Sequence, residues 1–284
     1  MHLLIFGLGY SGMALAHLAR SQGVRVSATS RDPARLLAPD GVALLPFGAA
    51  LPADVTHVLA TAAPDGQGDP VLAAYGAALA ISTTLRWAGY LSTTGVYGDR
   101  DGGWVDEATP VAPAHARSVR RVAAEQGWGA LSGRVAVDLF RVAGIYGPGR
   151  CALDDVRSGR ARRVLRPGHA FGRIHRDDIA GAVLAAVLQV RPAGIRVLNL
   201  ADDMPSESAA VIEEAARLLG VPVPVAVNYA EAQAAMSEMA RGFWAENRKV
   251  ASRRTQEMLG YRWRYPSYRE GLRAILAEEQ AGAG

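Results

Sequence analysis

Gly7-Leu8-Gly9-Tyr10-Ser11-Gly12 has the glycine spacing of a phosphate-binding turn. Glycines at these places let the chain turn tightly out of a strand, bring backbone amides up to a pyrophosphate, and pack the next helix close to the strand. The apolar run Leu3-Leu4-Ile5-Phe6 leads in, and Met13, Ala14, Leu15, Leu18 and Ala19 follow with the spacing of one helical face. In this strand, turn and helix setting the expected ligand is a dinucleotide, held by Gly7, Gly9, Tyr10, Ser11 and Gly12 at a helix N-terminus. The end of the second strand selects which one. A carboxylate there would bind the ribose hydroxyl of NAD, whereas a cation there would bind the 2′-phosphate of NADP. The chain reads Thr29-Ser30-Arg31 at that point, so NADP is the expected cofactor, with Ser30 and Arg31 as its contacts. Asp32 follows directly; it either reaches a ribose hydroxyl, which makes NAD the alternative, or caps a helix starting at Pro33, and capping is the preferred reading.

A scaffold must hold these residues at one edge. Strand-like apolar runs recur at 2–6, 24–29, 42–46, 55–60, 87–92, 135–142 and 195–200, and helical patterns fall at 10–21, 70–82, 117–127, 177–190 and 206–219. Gly220 and Pro222 stop the last of these helices. Alternation of this kind predicts an α/β protein, a Rossmann-type doubly wound parallel sheet with a small C-terminal substrate-binding region. Residues 1–284 are expected to form a single domain whose substrate region is assembled from about 150–175 and 202–275. Its cleft should lie above the strand C-termini.

With 284 residues, half of them apolar, the chain can bury a large core. One cysteine, Cys151, allows no internal disulfide and suits a reducing cytosol. The first residues lack a basic leading segment and are interrupted by glycines, and no uncharged run reaches the ~20 residues that span a bilayer. A cytoplasmic protein with no membrane partner and no metal is expected. The net charge is +4, and the excess is local. Arg157, Arg160, Arg162, Arg163, Arg166, Arg173 and Arg176 fall in one stretch without interleaved aromatic residues, which argues against a nucleic-acid surface. The stretch is either a solvated basic face or a pocket for an anionic small molecule.

Four further segments, taken in order, resemble the extended short-chain dehydrogenase/reductases, the group of NAD-dependent epimerases and dehydratases. They are Leu91-Ser92-Thr93-Thr94-Gly95-Val96-Tyr97-Gly98, Arg141-Val142-Ala143-Gly144-Ile145-Tyr146-Gly147-Pro148-Gly149-Arg150, Arg173-Ile174-His175-Arg176-Asp177-Asp178-Ile179-Ala180 and Leu198-Asn199-Leu200-Ala201-Asp202-Asp203. The tail around Leu259-Gly260-Tyr261 and Tyr265 to Leu272 is similar too. The resemblance implies that the hydroxyl of Thr93, or of Thr94 next to it, polarises a substrate oxygen. It places Ala62, Ala63 and Tyr146 against the cofactor, and Thr94, Tyr97 and Arg173 against the substrate.

The family's tyrosine and lysine pair is where the chain departs. Aligned on Ala124-Glu125, the lysine position falls on Arg121 and the tyrosine position on Arg117, and no tyrosine occurs between Tyr97 and Tyr146. Arg121 can hold the nicotinamide ribose, but Arg117 cannot act as a proton donor near neutral pH because it stays protonated. His115, two residues earlier, is either a surface histidine or the substitute acid. An atypical subgroup of the family is similar in lacking the tyrosine and in carrying a segment like Gly102-Gly103-Trp104-Val105-Asp106-Glu107. The resemblance therefore implies an NAD(P)-dependent oxidoreductase or epimerase acting on an alcohol or carbonyl of an anionic substrate. The alternative is a non-catalytic NAD(P)-binding regulator or sensor. Pairing of two helices across a homodimer is implied by analogy alone.

Overall fold

The computed structural model describes residues 1–282. Seven strands form one sheet: β1 (His2–Phe6), β2 (Arg25–Ser30), β3 (Ala43–Pro46), β4 (His57–Ala60), β5 (Trp87–Thr93), β6 (Ala136–Val142) and β7 (Gly194–Leu200). They lie in the order β7-β6-β5-β4-β1-β2-β3, with every pair parallel. The order reverses at β1, so a crevice opens there above the strand C-termini. Each strand expected from the apolar runs is present, and its ends move by at most a few residues.

Alternation along β1 shows why the strand is apolar throughout. Leu3 and Ile5 face α1 (Tyr10–Ser21) and α5 (Arg176–Leu188), while Leu4 and Phe6 face α2 (Pro70–Ile81) and α3 (Ala116–Gly129). Leu15, Ala16 and Ala19 of α1 and Ala182, Val183 and Ala186 of α5 fill the first layer; Val71, Tyr75 and Leu79 of α2 with Trp128 of α3 fill the second. Burying a Leu or Phe side chain of this kind is worth roughly 1.5–3 kcal/mol.

Outside the sheet lie α4 (Ala152–Arg157), α6 (Ser208–Leu219), α7 (Tyr229–Ala234), α8 (Glu238–Ala245), α9 (Arg253–Leu259) and α10 (Tyr268–Gly282). Short parallel strand pairs stitch this part to the rest: Gly144–Tyr146 with Arg173–His175, Arg163–Leu165 with Ala226–Asn228, and Trp104–Val105 with Lys249–Val250. No described helix is long and apolar enough to cross a membrane.

The helix expected at Pro33 is a correction. Only a 3-10 turn, Pro33–Arg35, forms there, and the Asp32 side chain makes no capping hydrogen bond. Pro39 restricts the residue before it to extended backbone, so the segment has no room for a second turn. The Asp32 carboxylate pairs instead with Arg35 at 3.3 Å.

Buried imidazoles include those of His57, His169 and His175. Burial disfavours the charged form of these three and pushes each pKa down to about 4 from the usual 6.5. Between those two values the unfolded chain binds more protons, so stability falls as pH falls. Asp202 has the opposite sign: burial raises its carboxyl from 3.8 to about 8, so it weakens the fold as pH rises across that span. The urea midpoint is therefore expected to peak near pH ~6.5, to drop steeply toward pH ~4 and to drop gently toward pH ~8. A flat profile from pH ~4 to ~7 would remove the buried imidazoles as the cause.

Candidate functional site

The glycine turn is shaped by contacts that distinguish its three glycines. Gly7 has φ +95, and a Cβ on it would lie 2.9 Å from the Thr61 hydroxyl; a Cβ on Gly12 would lie 2.6 Å from the Gly7 carbonyl oxygen. These two permit the turn and the close approach of α1. A Cβ on Gly9 meets nothing within 4 Å. Its open face, at the N-terminus of α1 with no acidic residue in the first turn, is a cradle that fits a pyrophosphate. Thr61 holds the turn from β4 by donating to the Gly7 carbonyl at 2.6 Å. Nothing in the sequence marks it beyond a hydroxyl at a strand end, just before Ala62 and Ala63, which lie partly buried and exposed at the mouth of the crevice.

At the end of β2, Ser30 Oγ accepts from the Asp32 amide at 3.1 Å. The Arg31 side chain is exposed, with no carboxylate within 4 Å among the described residues. A cation without a carboxylate partner therefore stands at the end of β2, and the neighbouring acid is engaged by Arg35.

Two strands from β1 on its other side, β5 ends in Thr93. Its hydroxyl oxygen accepts from the Gly95 amide at 3.1 Å, which leaves its proton free to be donated. Thr94 is buried beside it. From α3, Arg121 Nη1 donates to the Leu91 carbonyl at 2.8 Å and to the Tyr90 hydroxyl at 3.0 Å, so one nitrogen anchors the guanidinium at the strand. Arg117 is exposed, and Ser118 is buried, its hydroxyl 3.0 Å from where a Gly95 Cβ would be. His115 sits at the N-cap of α3, 44% exposed, with Nε2 3.6 Å from Glu246 Oε1.

Tyr97, expected against the substrate, lies inside the fold. It is fully buried, its hydroxyl donates to Asn199 Oδ1 at 2.7 Å, and the Arg141 guanidinium lies 4.8 Å from its ring centre. Its hydroxyl is thus engaged within the fold, beneath the end of β5. Beneath it, Arg141 makes two bonds to Glu125, of 3.1 and 2.8 Å, and Ser92 donates to the same carboxylate at 2.6 Å. Glu125, Arg141 and Asn199 were legible only as polar residues inside apolar helices and strands. Two other tyrosine protons near this edge are also committed, with Tyr10 donating to the Pro148 carbonyl and Tyr146 to the Ser267 carbonyl, while Tyr90 accepts from Arg121. Burial pushes the Tyr90 phenol up to about 12 and raises that of Tyr146 further.

Beyond strand Gly144–Tyr146 lies a cavity of about 440 Å³ lined by Tyr146, Arg150, Cys151, Arg173, Val211 and Tyr268 among others. Arg173 Nη1 donates to the carbonyls of Phe171 and Ser206, at 3.1 and 2.9 Å, and its guanidinium has no carboxylate within 4 Å among the described residues. Desolvation lowers its pKa. Partly buried, hydrogen-bonded to two carbonyls and with the Asp202 carboxyl as its main opposing charge, this cation at the cavity wall can receive an anion. The remaining arginines of the basic stretch disperse. Arg157 pairs with Glu279, Arg160 with Asp155 and Arg163 with Glu213, while Arg166 donates to the Trp244 carbonyl. Burial pushes the Cys151 thiol up to about 12, which favours the thiol over the thiolate at neutral pH.

No protein-family model matches the chain. Protein YeeZ of Escherichia coli (strain K12) is 29% identical over 241 residues, covering 78% of this chain and 84% of that protein. The human epimerase family protein SDR39U1, solved with NADPH, has the same fold at a TM-score of 0.76 and 20% identity, over 98% of this chain and 99% of that one. Other chains of this fold are solved with NAD. A functionally unknown conserved protein from Silicibacter pomeroyi DSS is 43% identical, with a TM-score of 0.88 over 98% of this chain and 99% of that one. At that identity, shared over nearly the whole of both chains, the protein belongs to the family of the Silicibacter pomeroyi conserved protein, on the Rossmann fold of the NAD-dependent epimerases and dehydratases.

Proposed function

We propose that the protein binds NADP across the glycine turn and acts as an oxidoreductase or epimerase on an alcohol or carbonyl of a small anionic substrate. The observation that carries this reading is the open face of Gly9 at the start of α1, on the same sheet edge as the Thr93 hydroxyl and the anchored Arg121. A bound nicotinamide supplies or accepts a hydride. Thr93 donates a hydrogen bond, keeping its proton, to the substrate oxygen on which charge develops, and the proton that completes an alcohol comes from solvent. Arg121, held to the strand through Nη1, offers its other N–H groups to ribose hydroxyls. Arg31 takes the 2′-phosphate, and Arg173 takes the substrate anion.

Titration calorimetry with NADPH and NADH tests the first step. NADPH is expected to bind tighter, and Arg31→Ala should weaken NADPH by at least about tenfold while leaving NADH unchanged, as expected for one lost charged hydrogen bond. Equal or tighter NADH binding would move the ribose contact to Asp32.

The hydroxyls of Tyr10, Tyr97 and Tyr146, whose protons are donated elsewhere, and the exposed Arg117 favour a second reading, a dinucleotide sensor without turnover. Incubation with NADPH and a panel of carbonyl acids separates the two. Loss of reduced nicotinamide absorbance supports the enzyme. Binding without oxidation, together with a cofactor-dependent change in a partner complex, supports the sensor.

A further inference from the structure

Two arginines beside the glycine turn have no role in the site so far. Tyr10, the first residue of α1, reaches across to the Pro148 carbonyl at 2.9 Å, so its ring spans from the glycine turn to the loop that carries Arg150. The approach is tight: a Cβ on Gly147 would lie 2.5 Å from the Tyr10 hydroxyl. The Arg176 guanidinium lies 5.0 Å from the centre of that ring, and the Arg150 guanidinium 5.8 Å. Arg176 is also the first residue of α5, which packs along α1; the α5 N-terminus carries Asp177 and Asp178 in its first turn, so the positive helix end left without an acid beside the two side chains is that of α1.

Arg176 has one carboxylate partner and Arg150 none among the described residues. The carboxylate on Arg176 is that of its chain neighbour Asp177, Nε to Oδ1 3.0 Å. Arg150 is exposed, with no carboxylate within 4 Å among the described residues. The aromatic face of Tyr10 attracts both guanidinium groups and holds them near the turn, but it does not cancel their charge. The Gly9 cradle next to them is open.

We infer that Arg176, assisted by Arg150, clamps the pyrophosphate of a dinucleotide seated over Gly9, adding charged side-chain bonds to those of the backbone amides. This rests on the cofactor reading above. The Tyr10 bond to Pro148 fixes the distance between the Arg150 loop and the turn, so the clamp is assembled before the ligand arrives.

The test is calorimetry on the full chain with NADPH, with ADP, which carries the diphosphate, and with adenosine 2′-phosphate, which lacks it. Arg176→Ala should weaken NADPH and ADP by at least about tenfold, in keeping with loss of a charged hydrogen bond, and should leave adenosine 2′-phosphate unchanged. Arg176→Lys should recover part of the loss, and Arg150→Ala should show a smaller loss of the same pattern. Unchanged ADP and NADPH affinity in Arg176→Ala, with an unchanged melting temperature, overturns the clamp alone. An equal loss for adenosine 2′-phosphate overturns it too, because the charge would then act on some other part of the ligand. A wild-type chain that binds neither NADPH nor ADP overturns the cofactor reading and the clamp together.

Discussion

Replacing Asp138 by alanine is expected to lower the free energy of unfolding by about 3–5 kcal/mol, the range for breaking a buried ion pair from one side. Asp138 is fully buried in β6. It accepts from Arg196 Nε and Nη2 at 2.7 and 2.9 Å, from Arg191 Nη2 at 2.8 Å and from the Trp87 indole at 2.8 Å. Arg196 is its direct neighbour on β7, and Trp87 begins β5, so one carboxylate ties three adjacent strands near their N-terminal ends. Alanine would leave a buried guanidinium and an indole N–H without their acceptor. Urea denaturation followed by circular dichroism measures the loss. Because the cluster is at the sheet edge opposite the glycine turn, NADPH affinity of the folded fraction should not change. A loss under ~1 kcal/mol would mean that water or relaxation satisfies both arginines.

The second large effect separates two glycines of one turn. Gly12→Ala places a methyl 2.6 Å from the Gly7 carbonyl, so the turn and α1 must move apart. Overpacking of this kind costs about 1–3 kcal/mol, and both the melting temperature and NADPH binding should fall. Gly9→Ala meets no atom and has φ -82 and ψ -164, extended backbone that alanine adopts readily. Its melting temperature should stay as in the wild type. Its methyl fills the cradle, however, and NADPH binding is expected to weaken by about ten- to a hundredfold, which corresponds to roughly 1.4–2.8 kcal/mol. Full NADPH affinity in Gly9→Ala would place the pyrophosphate elsewhere.

The sheet was legible because its signal is local. Seven apolar runs, separated by helical periods and by glycine or proline stops, already contain the strand positions, and the reversal of order at β1 follows from how parallel connections wind. The glycine turn and the Ser30-Arg31 end of β2 were legible for the same reason, being defined within a few residues of a strand. The Pro33 helix failed on a local rule too: capping geometry was read at Asp32, while the restraint from Pro39 decided the segment.

Side-chain partners were not legible, because they join residues far apart in the chain. Tyr97 looked like a substrate contact from its motif, yet its hydroxyl belongs to Asn199, 102 residues away. The arginine stretch looked like one basic face, yet Arg157 pairs with Glu279, 122 residues on, and Arg176 turns back to Tyr10 in the first helix. Residue types and spacing by themselves determined a doubly wound sheet with a glycine turn at its crevice. Which hydroxyls are spent and which cations stay unpaired was decided only when the winding of the sheet brought distant segments to one edge. A buried polar group must find a partner wherever the fold supplies it, and sequence spacing does not encode that choice.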